Sequence, residues 1–220
     1  MEIRSSNIPL EVLKNYFLTY PKNIPNYLKK MPKQFNEKNP NTRTVKTCSG
    51  LLNLYTRSVL FTSPFDIQVN FEKDGSWQAH VGHGGLGDNT VSDVPYQQFF
   101  KHNNNKKYKA LLKFSFGINV QYKYPIHLNN PWWSLNNFET VPGVLNCKNP
   151  LDLNFFIPIE TNVEILSIPQ GTPLILISSE VDSKIKLRFT KKPFDNRLIN
   201  GLHYRFSTLK DMLLRRKFDV

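Results

Sequence analysis

The sequence predicts a mainly β fold, an antiparallel barrel or sandwich, with a helical N-terminal arm and a C-terminal helix. Apolar and polar residues alternate in several short segments, which is the two-residue period of a strand with one buried face. Turn-forming Gly, Pro, Asn and Asp residues separate these segments. No helical pattern of ten or more residues alternates with them, which argues against a parallel, doubly wound sheet. With 220 residues and 40% hydrophobic content, the chain is long enough to bury a substantial core.

The N-terminal arm and its linker are predicted over residues 1–44, ahead of a β-rich domain over residues 45–220. Three apolar residues at helical spacing indicate a short helix, namely Leu10, Leu13 and Phe17. A second short helix is expected around residues 26–31, before Pro32. Residues 33–44 are rich in Asn, Pro and Lys and predict an exposed connection.

The clearest strand covers residues 65–71. Its apolar residues occupy every second position, and they are Phe65, Ile67, Val69 and Phe71. Asp74-Gly75 follows and can supply the positive backbone angles of a hairpin turn. Residues 77–81 are therefore expected to return beside the first strand.

The same alternation predicts two more paired strands, residues 108–116 and 118–124, separated by Gly117. Further strands are expected at residues 151–159, 163–168, 174–179 and 185–189. The strand that Pro173 introduces is apolar on both faces, which indicates a central position in a sheet. A C-terminal helix is predicted from Ser207, with Arg215, Arg216 and Lys217 at the negative end of its dipole.

The formal net charge of +12 is unevenly distributed. Counting Lys and Arg against Asp and Glu gives 9 minus 3 in residues 1–50, 6 minus 0 in residues 101–130 and 11 minus 4 in residues 181–220. A basic surface attracts nucleic acid, anionic nucleotides, an acidic protein face or another subunit. The alternative is a Lys- and Asn-rich coding bias that serves solubility alone.

A ligand-binding surface is predicted where basic and aromatic residues coincide. Four lysines lie on or beside the polar faces of the two predicted strands, and they are Lys107, Lys109, Lys113 and Lys123. Trp132 and Trp133 follow Pro131 in a polar stretch and can stack a base or nucleotide. The alternatives are a solvated sheet face and tryptophans that anchor a loop in the core.

The glycine-rich segment at residues 82–87 matches the dinucleotide pattern GxGxxG, but no helix follows it, so we expect a flexible loop that could cover a site. His80 and His83, with Asp88 and Asp93 nearby, are weak candidates for zinc or iron ligands. A spacing of three would send the two imidazoles to opposite faces of a strand. The sequence therefore predicts neither a metal nor a cofactor.

No complete catalytic constellation is present, since the sequence has neither a GxSxG elbow nor a P-loop. Whether the protein is an enzyme stays open, with a non-catalytic role favoured.

Cys48 and Cys147 lie far apart without CxxC spacing, which favours free thiols in a reducing compartment. No apolar run approaches the roughly 18 residues of a membrane span, and no secretory signal is visible. We expect no membrane partner and a cytosolic location.

Five short landmarks occur in order between residue 45 and about residue 190: Cys48-Ser49-Gly50, Asp74-Gly75-Ser76-Trp77, Pro131-Trp132-Trp133, Val141-Pro142-Gly143 and Ile168-Pro169-Gln170-Gly171-Thr172-Pro173. This order resembles a group of uncharacterised proteins of tailed phages, particularly cyanophages. The resemblance implies a phage-encoded protein in the host cytoplasm, with the virion as the alternative. It implies no established activity.

Pro142-Gly143-Val144, a following strand and then residues 168–177 resemble the end of the β-clip barrel of dUTPases and dCTP deaminases. In those enzymes a hairpin carries an aspartate. Here Asn146 stands at that position, and neither a tyrosine nor an arginine follows it. The resemblance thus implies a β-clip-like fold without the catalytic residues.

Three functions remain open. The first is a non-catalytic binding protein for an anionic ligand such as a nucleotide, with sequestration of a nucleotide signal of host defence as one form. The second is a virion structural or assembly protein, for which a homo-oligomer is plausible. The third is a degenerate or unrecognised nucleotide-processing enzyme centred on residues 80–93.

Overall fold

The computed structural model describes residues 1–33, 44–82, 90–94, 107–134, 136–181 and 184–190, and these form a mainly β fold, as predicted. The described strands are β1 (Glu2–Ser5), β2 (Phe17–Leu18), β3 (Val59–Thr62), β4 (Ile67–Phe71), β5 (Trp77–Val81), β6 (Val91–Asp93), β7 (Tyr108–Gln121), β8 (Ile126–Asn129), β9 (Gly143–Leu145), β10 (Leu151–Glu160), β11 (Ile165–Ile168), β12 (Pro173–Ser179) and β13 (Arg188–Phe189). The described α-helices are α1 (Leu10–Leu13), α2 (Asn26–Lys30) and α3 (Ser49–Arg57). Short 3₁₀ turns cover Lys14–Tyr16, Val45–Thr47 and Trp132–Ser134.

The strands form three sheets, which we name by their central strands. The β7 sheet has the order β10-β7-β1-β13, with β6 also paired to β7; the β4 sheet has the order β11-β4-β5; the β12 sheet has the order β2-β3-β12-β8-β9. Among the described pairings only β1 with β13 is parallel. The arrangement is sandwich-like, and the described strands do not close into a barrel.

The prediction of two paired strands on either side of Gly117 is wrong. Residues 108–121 form one continuous strand in which Gly117 has a φ of 63°. The register with β10 shifts there, from Asn119 opposite Asp152 to Ser115 opposite Asn154. The extra residues on β7 make a bulge, so Gly117 bends the strand without reversing it.

The N-terminal segment is only partly helical. α1 and α2 lie where short helices were predicted, but β1 pairs with β7 and β2 pairs with β3. Ile3, Leu13 and Phe17 are buried in the core that the three sheets share. The described part of this segment therefore completes the sheets and does not lie apart from them.

Two other sequence predictions are confirmed. β4 and β5 pair as a hairpin, with Phe71 opposite Trp77 and Gly75 at a φ of 89°. β12 lies between β3 and β8 and is buried on both faces, as its apolar composition indicates. The predicted C-terminal helix lies outside the described residues.

A second, smaller core lies on the other face of the β12 sheet. Leu60 and Leu176 point into it from β3 and β12, and Leu28, Tyr55 and Trp133 cover them. The rings of Tyr55 and Trp133 meet edge to face at 5.1 Å between centroids. The short helices α2 and α3 therefore contribute one buried residue each to a layer that covers this sheet.

The side chain of Tyr55 makes the free energy of unfolding depend on pH in the alkaline range. Its side chain is fully buried, its hydroxyl has no hydrogen-bond partner among the described residues, and burial, with a smaller contribution from Tyr27, raises its pKa to about 12. Between pH 10 and 12 the unfolded chain releases this proton while the folded chain keeps it, so stability falls as pH rises. We expect wild type to lose about 1 kcal/mol per pH unit there relative to Tyr55→Phe.

Urea unfolding of wild type and Tyr55→Phe across pH 8–12 measures this difference. The substitution keeps the ring against Trp133 and removes only the hydroxyl, so at pH 8 we expect Tyr55→Phe to be as stable as wild type or slightly more stable. Parallel curves for the two proteins up to pH 12 would contradict the burial of an unpartnered phenol.

Candidate functional site

Of the four predicted lysines, Lys109 and Lys113 lie on β7, Lys107 lies just before it and Lys123 lies two residues after it. Lys107 forms an ion pair with Glu160, at 3.2 Å between Nζ and Oε1. The Nζ of Lys109 lies 4.5 Å from the centre of the Phe71 ring. The Nζ of Lys123 lies 4.5 Å from the centre of its neighbour Tyr124. These cations thus have protein partners of their own.

The charge of Lys107 is engaged by groups of the protein. The hydrogen bond with Tyr108, followed by that with Glu160, raises the pKa of Lys107. Lys109 and Lys113 lie on the same side of the bulge at Gly117, and Lys123 follows the end of the strand.

Trp133 is a core residue, which corrects its predicted role in stacking a ligand. Its side chain is 5% exposed and packs against Tyr55 in the second core. Trp133 therefore anchors its loop in the core, which was the alternative prediction for these tryptophans. The side chain of Trp132 lies outside the described structure.

The histidine loop supplies no complete described metal site. His80 is exposed on β5, opposite Gln68 of β4, and His83 lies outside the described residues. In the described part of the chain, His, Cys, Asp and Glu side chains do not assemble into a group of three or more. Residues 83–87 of the glycine-rich segment, and residues 88 and 89 after it, also lie outside the described residues.

A cavity lined by lysines lies where an edge of the β7 sheet meets an edge of the β12 sheet. Its volume is about 590 Å³, within the range of small-molecule sites. Its walls come from three separate segments: residues 14–22 around β2, residues 56–58 at the end of α3 and residues 184–189, which include β13. Phe17 and Phe189 join the two edges, with ring centroids 6.1 Å apart. We call this the lysine cavity.

Four exposed lysines stand around the lysine cavity, and they are Lys14, Lys22, Lys184 and Lys186. The described residues that line it include no Asp or Glu. Lys14 pairs with Glu11 at 3.5 Å, but both side chains are largely exposed and such pairs are weak. No ion pair within the described residues involves Lys22, Lys184 or Lys186. The cavity therefore concentrates positive charge, which an anionic ligand would neutralise.

Three of the residues that line the lysine cavity are buried. Phe17 is 4% exposed, Ile185 6% and Ser58 3%. The Oγ of Ser58 has no hydrogen-bond partner among the described residues. At the rim, Tyr20 is 45% exposed and presents an aromatic ring beside the lysines. This combination can hold an anion together with a planar group.

The sequence carried a partial signal for this site. Residues 1–50 and 181–220 both carry an excess of positive charge, and the fold brings residues 14–22 of the first segment beside residues 184–189 of the second. Lys184 and Lys186 alternate with Ile185 and Leu187, as predicted for a strand-like segment with one buried face. What the sequence could not show is that two segments about 165 residues apart share one cavity.

A second cavity of about 440 Å³ lies at the start of β7 and the end of β10. Asn136, Asn137 and Asn162 line it, together with the ion pair of Lys107 and Glu160. Its charged lining residues are Lys107, Glu139 and Glu160, so the negative charges outnumber the positive one. It offers no concentrated positive charge for the predicted anionic ligand.

Both cysteines are free, Cys48 at the surface and Cys147 in the core. Burial raises the pKa of the Cys147 thiol, which makes it a poor nucleophile.

Within the described residues, no helix combines the length and the apolar character needed to cross a membrane.

The fold and the site define a mainly β, sandwich-like protein with a lysine-lined cavity between two sheet edges. Comparison with known proteins gives no family, since no protein-family description, curated protein or solved structure matches this chain.

Proposed function

We propose that this protein is a non-catalytic binding protein that holds an anionic ligand, such as a nucleotide or nucleotide signal, in the lysine cavity. The observation that carries the proposal is the set of four lysines around a cavity whose described lining contains no carboxylate. On the resemblance to tailed-phage proteins, the protein acts in the infected host cytoplasm. Sequestration of a signal used in host defence is one form of this function, and it needs no catalytic residue.

The lysine cavity can contribute to ligand binding in two ways, through positive charge and through an aromatic ring. Four ammonium groups in one concave site raise the local potential more than the same charges spread over a flat face. Tyr20 supplies a ring face beside them, and stacking on a base adds about 1–3 kcal/mol in proteins that bind bases this way. A nucleotide combines the two features that this lining recognises.

Charge reversal in the cavity tests the proposal. We expect Lys184→Glu/Lys186→Glu to weaken nucleotide binding about 100-fold, because two charge-assisted contacts become repulsions. Isothermal titration with nucleoside mono-, di- and triphosphates and cyclic dinucleotides, at low and high salt, gives the affinities. Both lysines are exposed, so the fold should tolerate the change.

Lys109→Glu/Lys113→Glu is the matched control, since it changes the net charge equally on β7. It should leave nucleotide affinity within about three-fold of wild type, because neither residue lines the lysine cavity and salt screens charges outside it. Equal losses in both variants, or binding only to oligonucleotides that vanishes in salt, would contradict a specific cavity. No binding by wild type would reject the proposal and favour a virion or assembly component.

A further inference from the structure

The cavity of about 440 Å³ at the start of β7 and the end of β10 has the features of a second, separate binding site. Three asparagines line it, so we call it the amide cavity, and they are Asn136, Asn137 and Asn162. The first two lie in the segment before β9, and the third lies in the turn between β10 and β11. The amide cavity and the lysine cavity share no lining residue.

Hydrogen bonds within the protein hold both segments in place without a ligand. The backbone N–H of Thr161, in the turn after β10, donates to the carbonyl of Lys107 at 2.9 Å. In the other segment, the Nδ2 of Asn136 donates to the carbonyl of Pro173 at 2.8 Å. A site whose backbone is already ordered loses less conformational entropy when it binds. The amide cavity is therefore largely formed before a ligand arrives.

Three polar side chains that line the amide cavity are not engaged by the rest of the described structure. Asn137, Glu139 and Asn162 are exposed, and none of them forms a hydrogen bond or ion pair with another described side chain or backbone group. A side-chain amide both donates and accepts hydrogen bonds, whereas a carboxylate only accepts them. The lining thus offers donors and acceptors together, from two separate segments.

The charges of the amide cavity favour a neutral ligand. Lys107 and Glu160 neutralise each other, at 3.2 Å between Nζ and Oε1. The remaining charged group of the described lining is Glu139, which is exposed, so water and salt screen it. A phosphorylated ligand would be repelled by this carboxylate, and a single screened charge holds a cation only weakly.

The lining also has an apolar part. Phe138, Ile159 and Leu166 are 9%, 2% and 1% exposed, and the partly exposed Tyr108 adds an aromatic ring. Small-molecule sites combine such apolar residues with a few polar groups that orient the ligand. A pyranose ring matches both parts, because its hydroxyls donate and accept hydrogen bonds while its C–H groups form an apolar face.

We propose that the amide cavity binds a neutral saccharide unit. The side-chain amides of Asn137 and Asn162 form hydrogen bonds with ring hydroxyls, and the apolar lining residues pack against the C–H face of the ring. This site does not depend on the proposed nucleotide function, since the two cavities have separate linings. Nucleosides and diamines are the competing ligands.

Saturation-transfer difference NMR with the methyl β-glycosides of glucose, galactose, mannose and N-acetylglucosamine measures the binding. We expect wild type to bind at least one of them with a Kd on the order of 1 mM, as ligand efficiency allows for a small neutral ligand. Asn137→Ala/Asn162→Ala should weaken that binding about ten-fold or more, because it removes hydrogen bonds from two segments. Asn26→Ala/Asn53→Ala, at exposed positions on α2 and α3, is the matched control and should bind like wild type.

Two further variants separate the ligand classes and the two cavities. Glu139→Gln should change saccharide affinity by less than about three-fold, because the amide oxygen still accepts a hydrogen bond and the ligand carries no charge. Lys184→Glu/Lys186→Glu should leave saccharide affinity unchanged, even where it removes nucleotide binding.

Three results would overturn the inference. They are no binding of any of the four glycosides by wild type at about 50 mM, equal losses in the Asn137/Asn162 variant and its control, and tighter binding of adenosine, guanosine or putrescine at the amide cavity. Each of these would leave the proposed nucleotide function standing, because that function is measured with other ligands and other variants.

Discussion

Phe116→Ala is expected to lower the free energy of unfolding by about 3–5 kcal/mol, the range for deleting a fully buried phenylalanine. Phe116 lies on β7 and is fully buried. Its ring contacts Phe61 of β3, Phe65 just before β4 and Phe155 of β10, at 5.9, 6.1 and 5.7 Å between centroids. One side chain thus joins elements from all three sheets, and a cavity there weakens all of their contacts at once.

Chemical denaturation followed by tryptophan fluorescence and by far-ultraviolet circular dichroism measures the loss. The two probes should give coincident transitions in wild type and variant, because the three sheets share one core. Tyr27→Ala removes a ring that is 48% exposed and should cost less than about 1 kcal/mol. A loss at Phe116 as small as that at Tyr27, or separate transitions, would contradict a common core.

The β-rich fold was predictable because strand burial leaves a local trace in sequence. β4, β10 and β12 alternate or run apolar over five or more residues, and each lies within a residue or two of its predicted bounds. The errors arose where the local sequence pattern does not specify which strand a segment pairs with. Gly117 marks a bulge and a hairpin turn equally well from sequence, and only the pairing of β7 with β10 decides between them.

The strands at the N-terminus were missed for a related reason. β1 and β2 have four and two residues, too few to show a period, and Ile3 becomes a core residue only through its pairing with Val120. Tertiary contacts between distant residues therefore set these strands, and the intrinsic preference of the segment does not.

For the candidate site as well, the sequence showed which residue types are abundant but not which of them lie close together in space. Basic residues beside aromatic residues predicted a site for an anionic ligand among neighbouring sequence positions, whereas we propose such a site in the lysine cavity. Lys107 and Lys109 are engaged by Glu160 and Phe71, and Trp133 supports a core. Lys22 and Lys184, 162 positions apart, line one cavity because β2 and β13 end their sheets side by side.

Asn23→Ala is expected to destabilise the protein by about 2–4 kcal/mol, because it leaves two carbonyls without their donor. The Nδ2 of Asn23, a 1% exposed residue, donates to the carbonyl of Tyr55 at 2.7 Å and to that of Ser58 at 3.1 Å. These carbonyls lie at the end of α3, where the last turn of a helix lacks partners of its own. Thermal and urea unfolding measure the loss, and Asn53→Ala, at an exposed position on α3, is the matched control.

The same substitution should also weaken the lysine cavity. Asn23 ends a turn whose Thr19 carbonyl accepts from the backbone N–H groups of Lys22 and Asn23, and this turn carries Tyr20 and Lys22 to the rim. Without its anchor to α3, the turn loses a fixed position relative to Ser58, so nucleotide affinity should fall even where the variant is fully folded. Unchanged affinity in folded Asn23→Ala would show that the rim groups on this turn do not contact the ligand, and would leave Lys184 and Lys186 as the cations that do.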